Sequence, residues 1–399
     1  MIENNIPKHW QVKKLGEVCT LKNGYAFKSD KYIDEGVPVI RISDINSGIV
    51  SKHKAVRVFQ KNDYENYLVE NNDILIAMSG ATTGKFGIYK SNEKAYQNQR
   101  VGKFKIIDEN VLDNKFLYHQ INSLKRQIEK DAYGGAQPNI SSSKIEQMQI
   151  VLPPLPEQQA IVSKIEELLS DLDNGKQQLQ TAQQQLKVYR QSLLKWAFDN
   201  ITTPLIKTVE ESCTHIVDCL HSTAKFSLQG KYCVDTTCIE NGRIVFENIR
   251  FVDDKTYNER ISRLKPEYGD ILFSREGTVG TTLIVPKNIE LCLGQRMMMF
   301  RFKKEILPKY ILYYFQSSKF KSQYQPLIMG TTAPHLNIRD IRKFNITLCS
   351  LSEQQQIVDE LESKLTVCDK IEETISQSLF QADTLKQSIL KKAFEGKLV

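Results

Sequence analysis

The chain has 399 residues, of which 41% are hydrophobic, 25% charged and 9% aromatic. That is long enough for two or three domains with real cores, and the composition sets aside wholesale disorder. No run approaches the ~18 uninterrupted apolar residues of a spanning helix, and the opening MIENNIPKHWQVKKLGEV lacks the apolar stretch of a secretory leader, so a cytoplasmic protein is expected.

The net charge of +7 is modest, but it is unevenly spread. Residues 1–152 carry 22 Lys and Arg against 17 Asp and Glu, and residues 201–349 are similarly basic, whereas 153–200 and 350–399 are slightly acidic. Two basic blocks that alternate with two acidic ones make a polyanion a candidate partner.

Residues 1–152 hold short β-favouring runs, VPVIRI (37–42), NDILIAM (72–78) and VGKFKII (101–107), with a helix expected over 116–130. This is the texture of an α+β domain. After NDILIAM comes a polar glycine loop, Ser79, Gly80, Ala81, Thr82, Thr83, Gly84, Lys85. Its glycines permit close backbone approach, and its hydroxyls and amides suit phosphate oxygens; a plain tight turn is the competing reading. GATTGK (80–85) is one residue short of a nucleotide-binding P-loop, and Phe86 stands where a magnesium-binding Ser or Thr would be, so ATP binding is not expected. Gln99-Arg100 offers bidentate donors for bases or phosphates, with a core salt bridge as the alternative use. The loop GGAQPN (134–139) could face a groove. Pro153, Pro154 and Pro156 then mark an exit; LPPL (152–155) lacks the polar and aromatic residues of an amino-methyltransferase loop.

From Ile161, steps of four and three give Ile165, Leu168, Leu172, Gly175, Leu179, Ala182, Leu186, Tyr189 and Leu193. A heptad stripe of this length argues for a coiled-coil helix over 153–200.

The sequence then repeats at a shift of 196 residues. Gln99-Arg100 returns as Gln295-Arg296, Gly134 as Gly330, Pro138 as Pro334, Glu157-Gln158-Gln159 as Glu353-Gln354-Gln355, and QSLLKWAF (191–198) as QSILKKAF (387–394). The second block, 201–349, carries the runs DILF (270–273), TTLIVP (281–286) and MMMFRF (297–302), a helix over 310–325, and a glycine loop, Ser274, Arg275, Glu276, Gly277, Thr278, Val279, Gly280, with one residue fewer between its glycines. Its cluster Cys213, Cys219, Cys233 and Cys238, near His215 and His221, lacks any CxxC pair, so buried thiols are expected rather than a metal site. The second heptad stripe, in 350–399, runs Ile357, Leu361, Lys364, Cys368, Ile371, Ile375, Ser378, Ala382, Leu385 and Ile389. Two equivalent stripes can cover each other. Glu362-Ser363-Lys364 has a nuclease-like spacing but sits in this helix, where a solvated pair is expected. No nucleophile with its base, and no metal carboxylate set, recurs in both copies, so the chain is not expected to be an enzyme.

PLPEQQAIVSKIE (154–166), its echo SLSEQQQIVDELE (350–362) and the endings QSLLKWAFDN and QSILKKAFEGKLV strongly resemble the conserved regions of specificity subunits of type I restriction-modification systems. NGYAFKSDKYIDEGVPVIRISDI (23–45) and SREGTVGTTLIVP (274–286) resemble that family's target recognition domains. The resemblance implies two similar α+β target recognition domains, 1–152 and 201–349, with mixed or antiparallel sheets and short helices. They would be separated by two long helices forming an antiparallel coiled coil, in a pseudo-twofold arrangement. It further implies that each domain binds one half of a split, asymmetric sequence in double-stranded DNA, and that two modification subunits and the restriction-translocase subunits are partners. S-adenosylmethionine, ATP and magnesium would reside on those partners, with no cofactor or metal on this chain and no membrane. The residues expected at the DNA are Lys22, Tyr25, Arg41, Ser43, Ser79, Gly80, Thr82, Thr83, Lys85 and Arg100 in the first half, and Arg243, Ser274, Arg275, Thr278 and Arg296 in the second. A coiled-coil scaffold whose globular ends bind proteins is the rival reading.

Overall fold

The structure, a computed structural model, describes residues 6–46, 48–133 and 138–398. The chain divides into two compact units, Met1–Gln178 with Ser378–Val399, and Leu179–Gln377. In the first, strand Cys19–Asn23 lies antiparallel to Val101–Ile106, which pairs with Ile74–Ala77, which pairs with Phe86–Tyr89. A second sheet sets Val37–Ile40 parallel to Ala95–Gln97 and antiparallel to Val56–Val58. The second unit repeats this order, with Cys213–Asp218, Met297–Phe302, Ile271–Ser274 and Thr282–Ile284 in one sheet, and Lys231–Val234 between Leu291–Leu293 and Arg250–Val252 in the other. Ile74–Ala77 and Ile271–Ser274 are buried at all four positions, which is why these strands read as continuous apolar runs rather than alternating ones.

The first unit's helix is Asn114–Ala132, capped by the Asp113 carboxylate, which accepts from Phe116 N–H. The single helix expected over 310–325 is instead two, Pro308–Gln316 and Ser318–Tyr324. Ser317 between them takes an extended conformation (φ −71°, ψ 155°), and its hydroxyl caps the second helix by accepting from Phe320 N–H.

The two long helices run Leu155–Asp199 and Leu351–Phe394. The recurring Glu-Gln-Gln fastens their starts. The Gln158 amide accepts from Asp113 N–H at 2.9 Å and donates to the carbonyls of Val111 and Pro153, both at 2.8 Å. Gln354 makes the same three contacts with Leu307 N–H, Glu305 and Cys349. Glu157 holds the incoming chain by accepting from Trp10 Nε1 at 2.8 Å, and Glu353 does so by accepting from Thr202 N–H at 2.7 Å. The recurring Ala-Phe fastens the helix ends: Phe394 packs edge-on against Phe116, ring centres 5.6 Å apart, and Phe198 against Tyr310 at 5.3 Å. Each globular part thus holds the beginning of one long helix and the end of the other.

Within each unit the two helices also pair directly. Lys176 meets Asp383 at 2.7 Å in the first unit, and Arg190 meets Asp369 at 2.7 Å in the second. In the second unit Lys364 also lies over the Trp196 ring, so numbers rise along one helix as they fall along the other and the pairing is antiparallel. Leu361, Cys368, Ile375, Ala382 and Ile389 are all buried, at intervals of seven. On the first helix Ile161, Ile165, Leu186 and Leu193 are buried, and Leu168, Leu172 and Leu179 half-buried. Ile357 is half-buried, but Ile371 and Leu385, placed on the stripe by spacing, are 44% and 50% exposed. An unsupercoiled helix drifts by about 20° per heptad from a strict 3.5 repeat, so a single partner covers one flank of the stripe and leaves the other in water. No described helix is long and apolar enough to cross a membrane.

Candidate functional site

One arrangement of loops is built twice, with the same backbone hydrogen bonds. In the first unit Met78 N–H donates to the Arg100 carbonyl at 2.9 Å, Ile140 N–H to the Met78 carbonyl at 2.9 Å, and Gly80 N–H to the Pro138 carbonyl at 3.0 Å. In the second, Arg275 donates to Arg296 at 3.1 Å, Leu336 to Arg275 at 2.8 Å, and Gly277 to Pro334 at 2.8 Å. The glycine loop, the Gln-Arg turn and the proline segment are thereby locked together. The loop bases close alike as well, by Gly84 N–H to the Ala77 carbonyl and Gly280 N–H to the Ser274 carbonyl, each at 2.9 Å, although the second loop is one residue shorter. Gly80, Gly84, Gly277 and Gly280 all have φ between 77° and 93°. At Gly280 the strain is compounded, because a Cβ would lie 2.0 Å from the Tyr324 hydroxyl.

In the first unit these loops gather most of the residues singled out from the sequence. Thr82 donates its hydroxyl to the Ile42 carbonyl at 3.1 Å, which brings the segment of Arg41 and Ser43 against the glycine loop. Asn98 N–H donates to the Ile40 carbonyl at 3.0 Å and Gln99 N–H to the Tyr25 carbonyl at 2.9 Å, which brings Tyr25 against the Gln-Arg turn. Lys22 and Arg100 are exposed and Lys85 half-buried; none has a carboxylate within 4 Å among the described residues. Arg41 lies 3.7 Å from the buried Asp44 and so is partly engaged. Ser79 lies opposite Asn139 at an isolated bridge. Thr83 is buried, its hydroxyl 2.6 Å from the Gly80 carbonyl and 3.1 Å from that of Pro138; it shapes the loop and faces no solvent. Of the loop 134–139, residues 134–137 lie outside the described residues.

The second unit distributes its residues differently. Arg275 is buried and forks onto Asp218, Nε–Oδ1 at 2.9 Å and a terminal nitrogen to Oδ2 at 3.2 Å. Burial disfavours its charge, but the Asp218 carboxylate more than offsets this and its pKa is raised. Ser274 is wholly buried, with its hydroxyl on the Glu276 carbonyl. Arg243 is exposed but reaches Asp369 on the second long helix at 3.3 Å. Thr278 and Arg296 face solvent, and Arg296 is partly engaged, its Nε 3.6 Å from Glu276 Oε1. Arg296 holds a left-handed φ of 77°, a conformation that costs a non-glycine residue about 1–3 kcal/mol and is concentrated at binding sites.

Sequence reading missed two features. Around Tyr25 an aromatic cluster forms, with Phe27, Tyr64 and Tyr67 all within 5.4 Å of its ring centre. In the second unit the loop after strand Cys213–Asp218 is clamped: Arg260 donates to the Ser222 carbonyl at 2.5 Å, Arg263 to that of Asp218 at 3.0 Å, and Gln295 Nε2 to that of His221 at 3.1 Å. No spacing rule flags either, because the partners lie far apart in sequence. Cys213, Cys219, Cys233 and Cys238 are buried thiols, and burial pushes Cys213 up to about 12. Among the described residues no group of three or more His, Cys, Asp or Glu could hold a metal ion. Glu362 pairs with Lys309, while Lys364 pairs with Glu360 and sits over the Trp196 ring.

A family model described as the type I restriction modification DNA specificity domain matches residues 7–184 and 226–381. The specificity subunit of type I restriction enzyme EcoBI of Escherichia coli is 25% identical, over 99% of this chain and 87% of its own length. That of EcoKI of Escherichia coli strain K12 is also 25% identical, over 100% of this chain and 91% of its own. Among solved structures, a chain from a type I restriction-modification system, described for its complex assembly and conformational transition, aligns with a TM-score of 0.75 at 18% identity, over 98% of this chain and 99% of that one. The HsdS subunit of Thermoanaerobacter tengcongensis aligns with a TM-score of 0.60 at 18% identity, over 98% of both chains. At these identities the structural likeness is one of fold.

Proposed function

We propose a function from one premise: this chain belongs to the type I restriction modification DNA specificity family. Its two globular parts each read one half of a split, asymmetric site in double-stranded DNA, and its long helices keep the two readings in register. The observation that carries this is the loop arrangement built twice with matching backbone bonds and unlike exposed side chains. A shared frame suits the phosphates, which look alike at every sequence, and the divergent side chains suit base edges, which do not. Lys22, Lys85 and Arg100 in the first half, with Arg296 and Thr278 in the second, are the contacts left facing outward. Arg275 and Ser274 act from within by holding the loops.

The chain performs no catalysis itself. Two modification subunits supply S-adenosylmethionine and methylate adenine at N6 after the base is turned out of the duplex, at a cost of a few kcal/mol. Restriction subunits supply ATP- and magnesium-dependent translocation.

The test is the salt dependence of binding by the assembled modification complex to duplex DNA. The logarithm of affinity should fall linearly with the logarithm of salt, with a slope of about −0.9 for each phosphate neutralised. A protein-binding scaffold predicts no DNA footprint and a flat salt profile, and that outcome would replace this reading.

A further inference from the structure

We infer that the exposed loop Leu220–Thr223 is the base-reading element of the second half, and that His221 is its reading side chain. The inference rests on the DNA-recognition function proposed above and names one residue that sets specificity within it.

Position is the first argument. The loop leaves strand Cys213–Asp218 and lies against Gln295, whose amide donates to the His221 carbonyl at 3.1 Å and accepts from the Thr223 hydroxyl at 3.2 Å. In the first unit the corresponding strand, Cys19–Asn23, leads to Tyr25, whose carbonyl accepts from Gln99 N–H at 2.9 Å and whose side chain is 38% exposed. The same strand exit, braced by the same turn, therefore presents a tyrosine in one unit and a histidine in the other. What recurs cannot distinguish two half-sites; what differs can.

Rigidity is the second. Arg260 is buried, and its guanidinium is spent on the carbonyls of Leu293 and Ser222. Burying a cation is costly, and carbonyls in a solvent-facing loop would be satisfied by water without it. Holding the loop in one conformation lowers the ordering cost on binding, which gives the buried charge a purpose.

Chemistry is the third. The Arg275 guanidinium is occupied by Asp218 and cannot fork onto a base. The imidazole of His221, 71% exposed, lies across that pair, with Nδ1 3.3 Å from the Arg275 terminal nitrogen and Nε2 3.3 Å from Asp218 Oδ2. The Arg275 N–H donating to Nδ1 assigns the tautomer with its proton on Nε2. Nε2 lies near Asp218 but makes no hydrogen bond to it, so His221 keeps an N–H donor that matches N7 of a purine in the major groove.

The test is genome-wide mapping of methylated adenines in cells carrying the complete modification complex with the original chain, with His221→Ala or with His221→Gln. His221→Ala should make one position of one half-site degenerate, a purine in the original motif, with methylation of the wrong base there rising by about tenfold or more and the other half unchanged. His221→Gln, which keeps a side-chain donor, should retain much of the purine preference. An unchanged motif in His221→Ala, degeneracy at a pyrimidine or in both halves, or loss of all methylation from a chain with an unaltered melting temperature would each overturn the assignment. If the original chain itself yields no two-part motif, the function proposed above fails, and this assignment with it.

Discussion

Met78 and Arg275 hold the same place in the two units, each donating to the arginine of the Gln-Arg turn and accepting from the proline segment. Met78 is part of an apolar core, whereas Arg275 is balanced by Asp218, which lies opposite Met298 as Asn23 lies opposite Gly102. A buried pair of this kind is weak as a source of stability but costly to break from one side, so it specifies the loop more than it strengthens the fold. His119 is a buried titratable group of another sort. It lies in the first unit's core with Nδ1 unpartnered among the described residues, and burial lowers its pKa from 6.5 to about 4. The unfolded chain therefore binds a proton in the window between those values that the folded chain does not. The contribution of His119 to stability is complete above pH 6.5 and should fall by about 3 kcal/mol as the pH drops to 4. Melting temperatures of the protein and of His119→Gln across this window check it: the variant should lose the His119 share of the slope. Identical slopes would show that the imidazole titrates normally.

At the scale of elements, the long helices were the most legible part of the sequence, because a 4-3 stripe of some 30 residues has few other uses. What spacing could not tell was which flank of the stripe the partner covers, hence the exposed Ile371 and Leu385. It also left unexplained why Glu-Gln-Gln recurs; the latch made by Gln158 and Gln354 to carbonyls more than 40 residues away along the chain supplies the reason. The glycine loops were legible as loops, but not the engagement of Arg275 and Arg243, since their carboxylate partners lie 57 and 126 residues away in the chain. The boundary between the compact units crosses the helices after Gln178 and after Gln377. Inserting one heptad at both points leaves every contact inside each unit in place and keeps the stripe in phase. The gap between the two recognised half-sites should lengthen while both half-sites stay the same. An unchanged gap would show that the helices do not set it.

For the whole molecule, the repeat at 196 residues was readable directly, and with it the twofold construction of the fold. The bases to be read were not, because on the proposed function they depend on loops such as Leu220–Thr223, which is braced by Arg260, Arg263 and Gln295 from 38 to 74 positions away. The central claim is that the two globular parts read DNA independently, one half-site each. The most direct measurement exchanges residues 201–349 for the equivalent block of a relative with a different target, assembles the chain with its modification subunits, and maps the methylated adenines. The account predicts a motif with one half replaced, the other half intact and the gap preserved; a change in both halves, or in neither, would contradict it.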